Sequence, residues 1–219
     1  MNVVELFSGT ANLARIARKR GHRVLTLDRD AEANMMMDIM DLRVRDIVDA
    51  FGGERVDMVW ASPPCQGFSV AAIGKHWEMV DGKPVPKHQT SAMGMLLLSR
   101  TLAVIKTLDP VVWYLENPRG MMRKMPALEP FDRATITMCQ YGRSYMKPTD
   151  IWHNNPFWKP RPACKNGDPC HERAPRGART GLQGVADEAL RSKLPDQLCN
   201  EVIKAAETAL TSSPHEDVG

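Results

Sequence analysis

The sequence predicts an α/β fold: a mainly parallel sheet with helices on both faces, carrying a short basic appendage that contains Cys and His. Three observations predict it. Short apolar runs bounded by turn residues recur along the first 120 positions. Stretches with helical spacing separate them, and strand–helix–strand connections place strands in parallel. Past residue 130 the alternation stops, and residues 154–185 are rich in Pro, Gly, Arg and Cys without periodicity.

Residues 2–7, Asn-Val-Val-Glu-Leu-Phe, read as a buried strand. Ser8-Gly9-Thr10 turns the chain into a helical pattern, Leu13, Ile16 and Ala17, that ends near Gly21. Residues 23–28 form a second strand that closes on Asp28, and residues 43–51 look helical. Residues 55–60 are a strand that runs into Ala61-Ser62-Pro63-Pro64-Cys65-Gln66-Gly67-Phe68-Ser69. Residues 67–88 contain Gly and Pro and show no clear period, so they read as a mobile loop. Residues 89–108 place Met95, Leu98, Leu102 and Ile105 at helical spacing. Residues 111–115 are a strand that ends in Glu116-Asn117-Pro118-Arg119-Gly120. Residues 133–139 alternate like a strand, and 149–153 read as another. Pro195 opens a last helix with Leu198, Val202, Ala205 and Ala209 on one face, and the tail from Thr211 reads as frayed. The domain reading is a main body of 1–153 with 186–212, an appendage of 154–185 and a flexible tail of 213–219.

A chain of 219 residues with 43% hydrophobic content is one domain with a sizeable core. The longest apolar runs, Met93 to Leu98 and Val111 to Leu115, are too short to span a bilayer, so no membrane partner is expected. The first residues lack a basic start leading into an apolar stretch, so no signal peptide is visible and a cytoplasmic location is expected. Five cysteines, an odd number without an export signal, point to metal ligation, catalysis or burial rather than a disulfide framework. The net charge is only +3, yet residues 119–179 hold twelve Arg or Lys against five Asp or Glu. That local excess of +7 leaves −4 on the rest of the chain. A basic segment on an acidic body suits a polyanion such as nucleic acid, or a solvated face.

In open α/β sheets ligands bind outside the carboxyl ends of the strands. Four such ends carry notable residues. Phe7-Ser8-Gly9-Thr10-Ala11 precedes a helix N-terminus, where the backbone admits a ligand and the helix end favours an anionic group such as a carboxylate. Asp28 is placed to accept hydrogen bonds from a ribose diol; an ordinary strand–helix connection looks the same. Asp38, followed by Ile39, could take an adenine amine or simply cap a turn. Cys65 lies just past a strand in a loop bounded by Pro and Gly, as a nucleophile would, or as a small buried hydrophobe. Glu116 at a strand terminus suits a proton donor if burial raises its pKa, or a cap. A soft nucleophile and a protonated carboxyl are what addition to carbon 6 of a pyrimidine requires, and that addition makes carbon 5 nucleophilic.

Phe7-Ser8-Gly9, Asp28, Pro63-Pro64-Cys65-Gln66-Gly67-Phe68-Ser69 and Glu116-Asn117-Pro118-Arg119-Gly120, in this order, resemble the DNA (cytosine-5)-methyltransferase family across residues 3–120. The resemblance implies a Rossmann-like methyltransferase fold that uses S-adenosylmethionine. It implies cofactor contacts from Phe7, Ser8, Gly9, Thr10, Asp28, Asp38, Ile39 and Pro63. It implies that Cys65 attacks carbon 6 of a cytosine flipped out of double-stranded DNA, that Glu116 stabilises the adduct, and that loop 66–88 closes over the base. Gln66, Ser69, Asn117 and Arg119 become substrate-side residues, with Arg143 or Lys147 as a further cation.

The chain also departs from the family. Ala11 and Asn12 stand where further glycines are usual, and Arg191-Ser192 replaces the Gly-Asn of the last block. Lys193 beside that block admits a carboxylated relative of S-adenosylmethionine as donor. The recognition region shrinks to 154–185, which implies relaxed or very short target specificity; Trp152, Trp158 and many Arg there suit stacking and phosphate contacts. Cys164, Cys170 and His171, with Cys139 or His153 as a fourth ligand, could bind structural zinc. The competing functions are the same chemistry on RNA or on a free cytosine nucleotide, and a non-catalytic DNA-binding pseudoenzyme. The small size suits a monomer encoded by a phage or mobile element.

Overall fold

A computed structural model describes residues 1–172 and 188–212. Residues 173–185 of the appendage and the tail 213–219 lie outside the described residues. In chain order the elements are β1 (Asn2–Leu6), α1 (Asn12–Lys19), β2 (Arg23–Asp28), β3 (Met35–Met36), α2 (Val44–Ala50), β4 (Met58–Ala61), α3 (Ile73–His76), β5 (Trp77–Val80), β6 (Lys83–Pro86), α4 (Gln89–Leu108), β7 (Val112–Pro118), β8 (Asp132–Thr137), β9 (Pro148–His153), α5 (Glu188–Ser192) and α6 (Asp196–Ser212).

Seven strands form one sheet in the order β3-β2-β1-β4-β7-β9-β8. The first five are parallel, with Val3 opposite Val24 and Met58, and Val59 opposite Trp113. β9 runs against both of its neighbours, pairing Glu116 with Ile151 and Ala134 with Ile151. Side chains alternate between two cores because successive Cβ atoms in a strand point to opposite faces. Val59 and Leu115 face the core built with Ile47 of α2 and Leu98, Val104 and Ile105 of α4. Met58, Trp60, Val112 and Tyr114 face the core built with Leu13 and Ile16 of α1 and Val202, Ile203 and Ala206 of α6. Val3, Val4 and Leu6 are wholly buried, and burial of each such side chain is worth roughly 1.5–3 kcal/mol.

Helix α4 is long and apolar enough by length and composition to cross a membrane, which the short apolar runs did not announce. Its Ser91, Gly94, Leu98, Thr101, Val104, Ile105 and Leu108 are buried in the fold, the pattern of a core helix.

Three expectations are corrected. Residues 67–88 are not an unstructured loop. They form a 3-10 turn, α3 and an antiparallel hairpin in which Trp77 faces Pro86 and Val80 faces Lys83. Asp81 and Gly82 both have positive φ, +49° and +76°, the pattern of a tight hairpin turn. Trp152 and Trp158 are not available for stacking on bases. Trp152 is buried in the α4-side core, and Trp158 packs edge-on against Tyr114 and His153 beneath α6. The last helix does not fray at Thr211, since α6 continues to Ser212.

Candidate active site

The carboxyl ends of β1, β2, β4 and β7 open onto one cleft of about 1340 Å³. It sits where strand order reverses about β1, the usual ligand position in such sheets. Phe7, Ser8, Gly9, Thr10, Asp28, Asp38, Ile39, Pro63, Cys65, Gln66, Ser69, Glu116, Arg119 and Lys147 all line it. Arg143 and Asn117 do not.

One half of the cleft is built by β1, β2 and the segment after β3. Phe7 and Gly9 take positive φ, +58° and +49°. The Gly9 N–H donates to Asp28 Oδ2 at 2.8 Å, and the Asp30 and Ala31 N–H groups donate to Oδ1 at 2.9 Å each. Asp28 therefore pins the β1 turn as well as its own. Ile39 is buried, and its carbonyl accepts from Arg100 Nε of α4 at 3.1 Å. Asp38 caps its own turn, accepting the Met40 N–H at 2.9 Å. Ser8 Oγ is buried with no hydrogen-bond partner among the described residues.

A carboxyl of the chain itself sits at the start of α1. Glu5, 3% exposed, accepts the Ala14 N–H with Oε2 at 2.8 Å. Its burial pushes the carboxyl up to about 7, against the opposing pull of that hydrogen bond and of Arg18. The two residues that replace the usual glycines have distinct roles. Ala11 adopts the left-handed conformation (φ 48°, ψ 36°) that begins α1. Asn12 reaches across to the last block, donating to the Leu194 carbonyl at 2.7 Å and to Asp196 Oδ1 at 2.9 Å.

The other half is built by β4 and β7. Cys65 is half-buried just past β4, and its carbonyl accepts the Phe68 and Ser69 N–H groups at 2.9 Å each. Trp77 Nε1 donates to the Gly67 carbonyl at 2.6 Å, so the hairpin braces this turn. The Met121 N–H donates to the Phe68 carbonyl at 2.7 Å. A Cβ on Gly120 would lie 2.2 Å from that carbonyl, so only glycine permits the approach. Glu116, 6% exposed, is held above the usual carboxylate range by burial. Lys147 and a hydrogen bond with Ser62 oppose that shift, and Asp150 adds to it. Glu116 Oε1 has no hydrogen-bond partner among the described residues. A carboxyl so placed favours its protonated form and presents an unsatisfied oxygen.

Two substrate-side expectations are corrected here. Asn117 does not line the cleft; it is buried, and its Nδ2 donates to the Pro63 carbonyl at 2.9 Å. Arg143 turns to the chain's own backbone, donating to the Lys193 and Leu194 carbonyls at 2.8 and 3.1 Å. Of these two cations it is Lys147 that lines the cleft, buried, with Nζ on the Arg191 carbonyl at 2.9 Å. Lys193 does not line the cleft, whereas Arg191 and Ser192 do.

Residues 1–146 match the model of the C-5 cytosine-specific DNA methylase family. The chain belongs to this family. It is thereby an enzyme of the DNA (cytosine-5)-methyltransferase class. A protein of Frog virus 3 (isolate Goorha) named for DNA (cytosine-5)-methyltransferase activity is 28% identical over 183 residues, 82% of this chain and 83% of the viral one. A prophage-encoded protein of E. coli described as a DNA modification methyltransferase shares the fold at 18% identity and a TM-score of 0.51. The match covers 74% of this chain and 51% of that one. A Spodoptera frugiperda DNMT2 mutant matches at 18% identity and a TM-score of 0.44, over 73% of this chain and 53% of that one. The methylase thus spans about half the length of these solved structures.

The family implies S-adenosylmethionine, and the β1–β2 half of the cleft fits it. Phe7, Leu27, Met37 and Ile39 offer an apolar wall for an adenine, Asp28 and Asp38 offer acceptors, and Ser8, whose buried hydroxyl has no partner among the described residues, lines the same space. Elsewhere the methylase gathers Cys139, Cys164, Cys170 and His171, with one ligand atom from each within 4.8 Å of the others. His153 is not among them; it packs on Trp158. Glu5, Asn12, Ser62 and Arg100 are site-building residues that the sequence reading missed. Glu5 carried the only available signal, a charge inside an otherwise apolar strand.

Proposed function

We propose that this methylase transfers a methyl group from S-adenosylmethionine to carbon 5 of cytosine in DNA through a covalent Cys65 adduct. The observation that carries the proposal is the pairing of Cys65 and a buried, proton-holding Glu116 on adjacent strand ends of one cleft. Cys65 is half-buried there, so a cytosine in duplex DNA must leave the stack to reach it. The Cys65 thiolate bonds to carbon 6, and the π pair between carbons 5 and 6 moves into the ring toward carbon 5 and nitrogen 3. The Glu116 carboxyl gives its proton to nitrogen 3, which spares the ring a net negative charge. Phe7, Ser8, Asp28, Asp38 and Ile39 hold the cofactor, which supplies an electrophilic methyl group when bound. Once carbon 5 is methylated, loss of its proton to a base restores the double bond and expels the Cys65 thiolate, and nitrogen 3 returns its proton to the Glu116 carboxylate. Lys147 stands beside Glu116 and steadies the negative charge of its carboxylate after the proton has moved. Gln66, Ser69 and Arg119 lie on the rim, where they suit the flanking nucleotides and phosphates.

Nucleoside mass spectrometry tests this reading. The methylase and S-adenosylmethionine are incubated separately with unmethylated DNA, RNA and dCTP. The expected product is 5-methyldeoxycytidine from DNA alone. Methylation confined to RNA or to dCTP would replace the substrate, and a heavier adduct on cytosine would replace the donor.

A further inference from the structure

We propose that Cys139, Cys164, Cys170 and His171 bind one zinc ion as a closed structural site that ties the segment following β9 to the far edge of the sheet. The four residues come from distant positions in the chain. Cys139 lies in the 3-10 turn Met138–Tyr141 after β8, whereas the other three follow β9. Their ligand atoms already stand at metal-site separations. Cys139 Sγ is 3.2 Å from Cys164 Sγ and 3.7 Å from Cys170 Sγ. His171 Nδ1 is 3.6 Å from Cys164 Sγ and 3.4 Å from Cys170 Sγ. A tetrahedron with Zn–S of ~2.3 Å and Zn–N of ~2.0–2.1 Å has edges of roughly 3.6–3.8 Å. None of the three cysteines is in a disulfide, and a disulfide would leave the other thiol and the imidazole unexplained.

The surroundings fit the same assignment. Gln140 Nε2 donates to Cys170 Sγ at 3.3 Å, and the Cys164 N–H donates to Thr137 Oγ1 at 3.1 Å. The first contact orients a sulfur ligand and spreads its charge, and the second fixes the Cys164 backbone. Soft thiolates with one imidazole select zinc over magnesium or calcium. Four protein ligands leave no position for water or substrate, and none of the four lines the cleft, so the site is structural rather than catalytic.

The fold also shows what the site is for. Residues 159–172 hold Pro160, Pro162 and Pro169 and form no helix or strand. Trp158 is the last residue before Cys164 with its side chain in the core. Beyond it, Arg161 is tied to Glu201 and stacks on Tyr141, and Glu172 N–H donates to the Ser144 carbonyl at 2.7 Å. A metal at Cys139 would fix this otherwise coreless stretch beside the Tyr141–Gly142 turn, which itself packs on α6.

Metal analysis of the full chain, purified without chelator, tests the proposal independently of methyl transfer. The expected result is about one zinc per chain, retained in Cys65→Ser and lost in both Cys170→Ser and His171→Ala. Cobalt exchanged into the wild-type chain should give the visible bands of a tetrahedral thiolate site, which holds the test open should a variant fold poorly. Stripping the zinc should speed tryptic cleavage after Lys165 by about tenfold or more, because the segment is then released. Negligible zinc in the wild-type chain with no cobalt spectrum, or another metal bound in its place, would overturn the assignment. Unchanged cleavage at Lys165 after zinc removal would overturn the tethering role.

Discussion

Asn117 donates from Nδ2 to the Pro63 carbonyl at 2.9 Å. Asn117 follows Glu116 and Pro63 stands two residues before Cys65, so this bond ties the strand end that bears Glu116 to the loop that bears Cys65. Both partners are buried, and Asn117 is 1% exposed. The relative position of Glu116 and Cys65 is therefore set by a side chain outside the cleft lining.

Asn117→Ala is expected to lower both stability and turnover. It leaves the Pro63 carbonyl unsatisfied, at a cost of roughly 1–3 kcal/mol. A small misplacement of Cys65 should lower kcat by about 10²-fold, with the KM for S-adenosylmethionine nearly unchanged. Thermal unfolding and initial rates separate the two effects.

Glu116→Gln removes the proposed proton donor while keeping the shape. The expected loss in kcat is about 10²–10⁴-fold. Burial raises the Glu116 pKa, so the wild-type rate should fall on the alkaline side as the carboxyl loses its proton. That alkaline fall should be missing in the variant. A pH profile of kcat for both proteins checks it.

Glu5 makes stability depend on pH in a defined window. Its folded pKa is about 7 against a reference of 4.5. The folded state thus binds more protons than the unfolded state between those values. Stability from this group is fully present below about pH 4.5 and is lost as pH rises through about 7. The loss is on the order of 3 kcal/mol. Glu5→Gln keeps an acceptor for the Ala14 N–H and removes the titration. The variant's Tm should fall less between pH 5 and 7.5 than that of the wild type, as measured by calorimetry.

Ala11 holds a left-handed conformation at the start of α1, with φ 48°. A side chain there costs about 1 kcal/mol that glycine does not pay. Ala11→Gly is expected to raise unfolding free energy by up to about that amount and to leave methyl transfer intact. Denaturant titration measures the change.

The parallel half of the fold was legible because its strands are short apolar runs with acids or turns at their ends, as in Val3–Leu6 before Ser8-Gly9 and Val112–Leu115 before Glu116. The Cys65 and Glu116 blocks were legible for the same reason: Cys65 lies in the loop after β4 and Glu116 near the carboxyl end of β7, so chain position places both at the same end of the sheet. What escaped the reading depends on long-range partners. Asn12 acts through Leu194, and Arg100 through Ile39, pairings that no local pattern encodes. The hairpin of 77–86 had its signal in Asp81-Gly82, but Pro84 and Pro86 argued against a strand. Trp158 was misread by composition: a basic, proline-rich neighbourhood suggested exposure, whereas it fills the core under α6. Arg143 was offered through the family resemblance as a cation, whereas it satisfies two backbone carbonyls.

The most direct measurement is a covalent trap. Duplex DNA carrying 5-fluorocytosine is incubated with the methylase and S-adenosylmethionine, and the products are resolved by intact-protein mass spectrometry and peptide mapping. Fluorine blocks the final loss of a proton from carbon 5, so the adduct cannot resolve. The account predicts a protein–DNA species joined at Cys65 that is absent in Cys65→Ala and much reduced in Glu116→Gln. Methylation of ordinary cytosine with no trapped species, or a trapped species joined elsewhere than Cys65, would contradict it.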